Sequence, residues 1–264
     1  MAGIKLLVVP LVAVMGWYGA SRILKGGTPP ERSPEKGFGS PFATGFAVVE
    51  LFTSEGCSSC PPADALLSVI RKDYSNEQVY VLGFHVDYWN RLGWADAFSN
   101  PDYTRRQSQY AQVLRLQSVY TPQVIVNGKK EFVGSDGGRI RSVINDELKN
   151  TAGRTAIVRV RGVDSHTIRV FCKLENPAGL RLQVALVQLR AASHVLAGEN
   201  SGRTLDHVNV VRDFKTMTAD KAGSGIVDLK IPQGLTEKDC KVIYFLQQDV
   251  DMHIVGAGEA ESEQ

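Results

Sequence analysis

An α/β unit followed by an all-β, sandwich-like unit is the fold class the sequence predicts, and two patterns predict it. Between residues 46 and 150, strand-length apolar runs alternate with stretches of helical period in the order β-α-β-α-β-β-α. Strand–helix–strand units need crossover connections, so they give a sheet covered by helices. After Asn150 the apolar period becomes two and helical stretches cease, which predicts a sandwich of strands over 151–258.

Each element has its own signal. Phe46–Phe52 reads as a buried strand, ended by Thr53, Ser54, Glu55 and Gly56. Ala63, Leu66, Leu67 and Ile70 fall on one helical face behind Pro61 and Pro62, which suit a first turn because their missing N–H groups have no partner there. Val79–Val86 is a second strand. Ser99 or Asn100 can cap a helix that opens at Pro101 and turns Tyr103, Tyr110, Val113 and Leu114 inward. Gln123–Val126 and Lys130–Val133 flank Asn127-Gly128, a strong hairpin signal. Ser135 or Asp136 then caps a helix that buries Ile140, Val143, Ile144 and Leu148. In the second half, alternation marks strands around Ile157–Arg161 and Ile168–Cys172, and at Leu180–Leu189, Thr204–Phe214, Ile226–Ile231 and Val242–Gln247. The acidic segment 259–264 reads as a frayed tail.

The ends and the charge bound the function. Residues 4–24 are mostly apolar and carry Lys5 and Arg22, which fits a secretory signal peptide or a retained membrane anchor within 1–25. Export to a bacterial periplasm or cell envelope is the expectation, with attachment to the inner membrane if the segment is kept. Residues 26–45, rich in Gly and Pro, read as a flexible linker. Thirty basic and 28 acidic residues leave a net charge of +2, which gives no electrostatic footprint for nucleic acid. A nucleophilic-serine motif and a phosphate-binding loop are both missing, so hydrolase and nucleotide chemistry have no support.

The chemistry gathers at Cys57-Ser58-Ser59-Cys60, between the first strand and the first helix. A helix N-terminus favours a thiolate over a thiol, and the thiolate is the species that exchanges disulfides. Two intervening residues let the second sulfur resolve a mixed disulfide formed by the first. Cys57, expected further out, is the attacking sulfur and Cys60 the resolving one. Pro61 biases Cys60 away from the helical region. Glu55 opposes a thiolate if it points toward Cys57. His85 and Asp87 close the second strand on the ligand-facing edge of a parallel sheet. His85 is a proton acceptor for a cysteine or a buried histidine of the core. Asp87, Trp89 and Trp94 are candidates to border the dithiol. Cys57, Cys60 and His85 also make a donor set suited to Cu(I), while structural zinc lacks a second ligand pair. Cys172 and Cys240 either pair across the sandwich or are small buried residues. His194, Glu199, Asn200, Arg203, Asp206 and His207 form a polar cluster that is a binding site or a turn stitched by side chain–backbone bonds.

Residues 46–150 resemble the thioredoxin fold. The segments Glu50-Leu51-Phe52-Thr53-Ser54-Glu55-Gly56-Cys57, Phe84-His85-Val86-Asp87-Tyr88-Trp89-Asn90 and Tyr120-Thr121-Pro122-Gln123 are similar to a thioredoxin-like family of exported bacterial proteins with no assigned function. The similarity extends through Glu199–His207. It implies a cis Thr121-Pro122 bond facing the cysteines and orienting a partner chain, and by analogy a thiol–disulfide oxidoreductase. Its partners are then protein thiols or disulfides, and it needs no cofactor beyond the dithiol. The alternative is a non-enzymatic exported binding module with a permanent Cys57–Cys60 staple. The sequence departs from typical thioredoxin in lacking the active-site tryptophan and the Gly-Pro between the cysteines.

Overall fold

The computed structural model describes residues 45–150 and 153–263, so the expected signal or anchor and nearly all of the expected linker lie outside the described residues. Among the described residues no helix is long and apolar enough to cross a membrane. The described residues form a mixed α/β arrangement of two sheets and three α-helices.

The first strand, β1 (Ala47–Thr53), is buried along its whole length because both of its faces are covered. Ala47, Val49 and Leu51 face α1 (Pro61–Asp73) and α3 (Gly137–Leu148), while Val48 and Phe52 face α2 (Pro101–Val113). Parallel to β1 runs β2 (Val79–His85), in a register that pairs Ala47 with Val79 and Thr53 with His85. Thr53 and His85 therefore end side by side, and the chain leaves Thr53 directly into the cysteine segment. On the other side of β1 the antiparallel hairpin β3 (Gln123–Val126) and β4 (Lys130–Val133) closes one edge. Its turn is Asn127-Gly128 with both residues at positive φ, 49° and 68°. A Cβ at Gly128 would stand 2.1 Å from the Met252 carbonyl oxygen, so only glycine fits. Asn127 also accepts from the Val48 N–H at 2.7 Å, which ties the hairpin to β1.

The second half contributes β5 (Ala156–Asp164), β6 (Thr167–Leu174), β7 (Leu180–His194), β8 (Thr204–Met217), β9 (Ser224–Lys230), β10 (Cys240–Gln248), β11 (Ile254–Glu259) and β12 (Glu261–Ser262). These strands divide between two sheets. One sheet runs β11-β10-β7-β8-β2-β1-β3-β4, and the other runs β12-β5-β6-β9. The boundary near residue 150 is thus a connection within shared layers, because β8 docks on the open edge of β2 through the parallel pair Gly83–Val210. One face of the long sheet is covered by α2 across both halves of the chain, in a core that joins Phe52, Phe84 and Tyr110 to Val187, Val211 and Phe245. The opposite face is covered by α1 and α3 at one end and by the four-stranded sheet at the other. The segment read as a frayed tail pairs instead. Glu259 lies opposite Ile243, and β12 lies parallel to β5. Edge strands leave backbone groups open, and these residues fill them.

Glu50 interrupts the apolar run of β1 and is fully buried. Arg106 on α2 meets it with Nε at 2.5 Å and Nη2 at 3.0 Å. Gln247 accepts from Arg106 Nη1 at 3.2 Å, and Tyr110 Oη lies within hydrogen-bond distance of Arg106, Glu50 and Gln247. Burial works to lower the Arg106 pKa, but the Glu50 charge outweighs it and the pKa is raised.

Cys172 and Cys240 are free and buried, so the cross-sandwich disulfide is not formed. They stand on β6 and β10, which belong to different sheets. Each is instead a small buried side chain in the apolar layer between the sheets. Burial pushes both thiols up to about 11.

Two outcomes are expected. Arg106→Met strands a buried carboxylate and should lower the urea-unfolding free energy by about 3–5 kcal/mol, part of which returns when Glu50→Gln is added. Alkylation of the denatured, unreduced protein should label Cys172 and Cys240 and spare Cys57 and Cys60.

Candidate functional site

The turn after β1 is built from its own backbone. Cys57 N–H donates to Ser54 O at 3.2 Å, and Cys60 N–H donates to Cys57 O at 3.2 Å. Cys57 and Cys60 form a disulfide with a Cα separation of 5.4 Å. Cys60 is the N-cap of α1 and has helical dihedrals, φ −79° and ψ −38°, despite the proline that follows. The turn that closes the disulfide overrides the expected bias of Pro61. Pro61 and Pro62 supply no N–H, and the N–H groups of Ala63 and Asp64 both donate to Cys60 O, at 2.8 and 3.1 Å. The helix end therefore has no free donor among these residues to offer a thiolate. The polar neighbour that Cys57 Sγ has is the Ser59 hydroxyl, at 3.3 Å.

Both sulfur-bearing residues are fully buried, which corrects the expectation that Cys57 stands outward. The loop 195–203 between β7 and β8 bonds to the backbone of this turn. Asn200 Nδ2 donates to Glu55 O at 2.8 Å and to Cys57 O at 2.9 Å. Glu199 Oε2 accepts from Ser58 N–H at 2.8 Å, and the Ser58 hydroxyl and N–H together lower the Glu199 pKa. Arg203 Nη1 donates to Asn200 Oδ1 at 2.8 Å and fixes that amide. The loop neck is held by Val195 N–H to Arg203 O and Gly202 N–H to Val195 O. The polar cluster read from sequence thus stitches its own turn and also ties to the backbone of the cysteine segment, where Ser58 and Ser59 stay exposed. His194 and Asp206 remain exposed outside this contact.

Thr121 lies on the other side. Its carbonyl accepts from Ser59 Oγ at 3.5 Å, its hydroxyl accepts from Trp89 Nε1 at 2.8 Å, and its bond to Pro122 is cis. Asp87 turns away from the cysteines, accepting from the Thr104 hydroxyl of α2 at 2.5 Å. Trp94 Nε1 donates to Glu55 Oε2 at 2.8 Å.

Behind the turn is a buried polar cluster. Glu55 is fully buried, and its Oε1 faces His207 Nε2 at 3.4 Å. His207 Nδ1 faces Asp64 Oδ1 at 3.7 Å, and Asp64 Oδ2 accepts from the Thr53 hydroxyl at 3.0 Å. His85 Nδ1 lies 2.7 Å from Asp96 Oδ2, and its ring meets that of His207 edge to face with centroids 4.7 Å apart. Burial works to lower the His207 pKa, but the carboxylates of Asp64 and Glu55 outweigh it and push it up to about 9. Burial works to raise that of Asp96, but His85 and the N–H groups of Glu55 and Phe98 hold it below the usual range.

Sequence reading missed Asp64 and Asp96. Asp64 sits in the first helical turn, where an acid complements the helix dipole and carries no further signal. Asp96 is one acid in an irregular stretch. Asp64, His85 and His207 are the group that the structure brings within metal-binding reach among the described residues. That group holds His85 and neither Cys57 nor Cys60, which are bonded to each other.

Residues 48–247 match a family described as a protein of unknown function, DUF1223. Comparison with curated proteins gives no match. Among solved structures, a crystal structure of an Agrobacterium tumefaciens protein from a structural genomics consortium is similar. It is 28% identical, with a TM-score of 0.62, over 83% of this chain and 95% of that one.

Asn200→Ala removes two buried hydrogen bonds and should lower stability by about 1–3 kcal/mol. Opening of the loop then becomes easier, and reduction of Cys57–Cys60 by excess dithiothreitol should speed up roughly tenfold or more in a stopped-flow assay. An unchanged rate would mean that the loop does not guard the sulfurs.

Proposed function

We propose that this chain, which belongs to the DUF1223 family, exchanges thiols and disulfides with protein partners through Cys57 and Cys60. The observation that carries this reading is the disulfide itself: two cysteines with two residues between them, at the mouth of the helix that follows the first strand. Thr121 supports it, because it lies within hydrogen-bond reach of Ser59. On this basis residues 46–150 are read as a thioredoxin-like unit. Export, inferred from residues 4–24, would place the pair where disulfides persist.

The step balances without an organic cofactor. A partner thiolate attacks Cys57 Sγ, the Cys57–Cys60 bond breaks, and Cys60 leaves as a thiolate that takes up a proton. A second partner thiolate attacks the partner's sulfur in the mixed disulfide, and Cys57 leaves and is protonated. The partner departs as a disulfide and the chain holds both electrons as two thiols. Run backwards, the same bonds oxidise the chain. The Ser59 hydroxyl serves as donor to Cys57 when it carries the charge. Loop 195–203 must lift before a partner sulfur can reach either cysteine, so access and chemistry are separate steps.

The complete burial of both cysteines favours a second reading, in which the disulfide is a structural staple that anchors loop 195–203. The potential of the couple separates the two. A value below roughly −300 mV belongs to structural disulfides, whereas exchange proteins lie between about −120 and −270 mV. Exchange predicts a value in the upper range and, in Cys60→Ala, a mixed disulfide at Cys57 recovered by mass spectrometry after incubation with a reduced or oxidised protein partner. A low potential together with no adduct leaves the staple.

A further inference from the structure

The geometry points to a binding site for a divalent transition-metal ion of the zinc type, made by Asp64 Oδ1, His85 Nε2 and a ring nitrogen of His207. This site is independent of the thiol chemistry, since no sulfur takes part.

Charge gives the first argument. Glu55, Asp64 and Asp96 are three buried carboxylates that converge on two buried histidines. No lysine or arginine forms an ion pair with any of the three among the described residues. Three carboxylates outnumber the two imidazoles that can answer them; buried charge is costly unless paired or bound to metal, and a dication answers the excess.

Hydrogen bonding gives the second. His207 is 4% exposed, yet neither of its ring nitrogens has a hydrogen-bond partner, and Glu55 Oε1 beside it also lacks one. Buried polar atoms left without a partner are rare, and an ion is one of the few explanations. The third argument is orientation. Asp96 lies on His85 Nδ1 at 2.7 Å, and Glu55 Oε1 faces His207 Nε2 at 3.4 Å without a hydrogen bond. An outer carboxylate such as Asp96 fixes the tautomer of a metal-binding imidazole and raises its basicity. It leaves His85 Nε2 as a ligand atom, and both nitrogens of His207 are open. Asp64 is oriented in the same way, because Thr53 holds Oδ2 and leaves Oδ1 open toward His207 Nδ1.

Spacing gives the fourth. One ligand atom from each of Asp64, His85 and His207 lies within 4.8 Å of the others. Asp64 Oδ1 and His207 Nδ1, at 3.7 Å, are too far apart for a hydrogen bond and close to the roughly 3.4 Å between two ligands that bonds of about 2.0–2.2 Å set in a tetrahedral site. Two imidazoles and one carboxylate leave a fourth position open, the pattern of sites that bind water or a substrate atom. A cleft between α1 and β8, lined by Pro61, Asp64, Ala65, Arg203 and His207, gives an approach from solvent.

The test uses the full chain with its disulfide intact, stripped with a chelator and dialysed. Zn2+ titrated by calorimetry should bind at one ion per chain and raise the melting temperature. Co2+ should give visible absorption of nitrogen and oxygen ligation. Asp64→Asn and His207→Gln should each weaken Zn2+ binding at least a hundredfold. Glu55→Gln, which removes only an outer carboxylate, should weaken it roughly ten- to a hundredfold. If a ligand variant does not fold, the wild-type titration and the Co2+ spectrum still decide the matter. Absence of saturable Zn2+ binding by the folded wild type would overturn the site. So would an intense near-ultraviolet thiolate-to-cobalt band, which would put the ion on Cys172 or Cys240, or unchanged affinity in folded His207→Gln. Because the titration reads no thiol exchange, its failure leaves the reading of Cys57 and Cys60 untouched.

Discussion

The parallel contact of β8 with β2, made at Gly83 and Val210, is the constraint on which the rest of the structure depends. It closes the open edge of the first-half sheet with a strand from the second half and carries three consequences along β8. At Val211, the backbone accepts from Tyr103 and ties β8 to α2. At His207, it delivers an imidazole between Asp64 and Glu55. At the strand's start, it aims loop 195–203 at the cysteine turn. A second half packed as a separate body would leave the cysteines bare and the carboxylates without a counter-charge.

Burial of charge is handled twice, in two different ways. On the α2 face, Glu50 has a guanidinium, and Tyr110 and Gln247 satisfy the remaining groups. The arginine also lies over the rings of Tyr110 and Phe214, each 4.9 Å away, so its charge is spread among donors, acceptors and π faces. That network is complete, and its role is to register α2 on the long sheet. On the α1 face no guanidinium meets the carboxylates: Thr53, Trp94 and backbone N–H groups satisfy some of their oxygens, and the imidazoles stand at distances that leave three polar atoms without partners. A complete network specifies structure, and an incomplete one at the end of parallel strands is where chemistry has room.

The cysteine turn shows how local and tertiary effects trade places. The two prolines that open α1 remove the first N–H donors, and Cys60 O takes the next two. The electrostatic advantage of a helix end is therefore weaker at Cys57 than the position alone suggests. The turn's backbone is held by residues more than 140 positions away in sequence, through Asn200 and Glu199. Reactivity at this turn is set by the energy needed to part those bonds as much as by the sulfurs.

The sequence by itself determined the local structure. Apolar periods, the Asn100 cap, the Asn127-Gly128 turn and the prolines at the start of α1 place three helices and most strands within a few residues, because these signals act over one or two turns of chain. It also determined where the thiols sit and that residues 199–207 form a polar cluster. Tertiary structure decided everything that depends on which edge meets which. The second-half strands β8, β7, β10 and β11 extend the first sheet, whereas β5, β6, β9 and β12 form the other. Cys172 and Cys240 fall on opposite sheets for that reason. Asp64, unremarkable in a helix's first turn, acquires meaning only when β8 brings His207 against it. Period and capping are properties of neighbours along the chain, but burial, pairing and charge balance belong to residues joined across space.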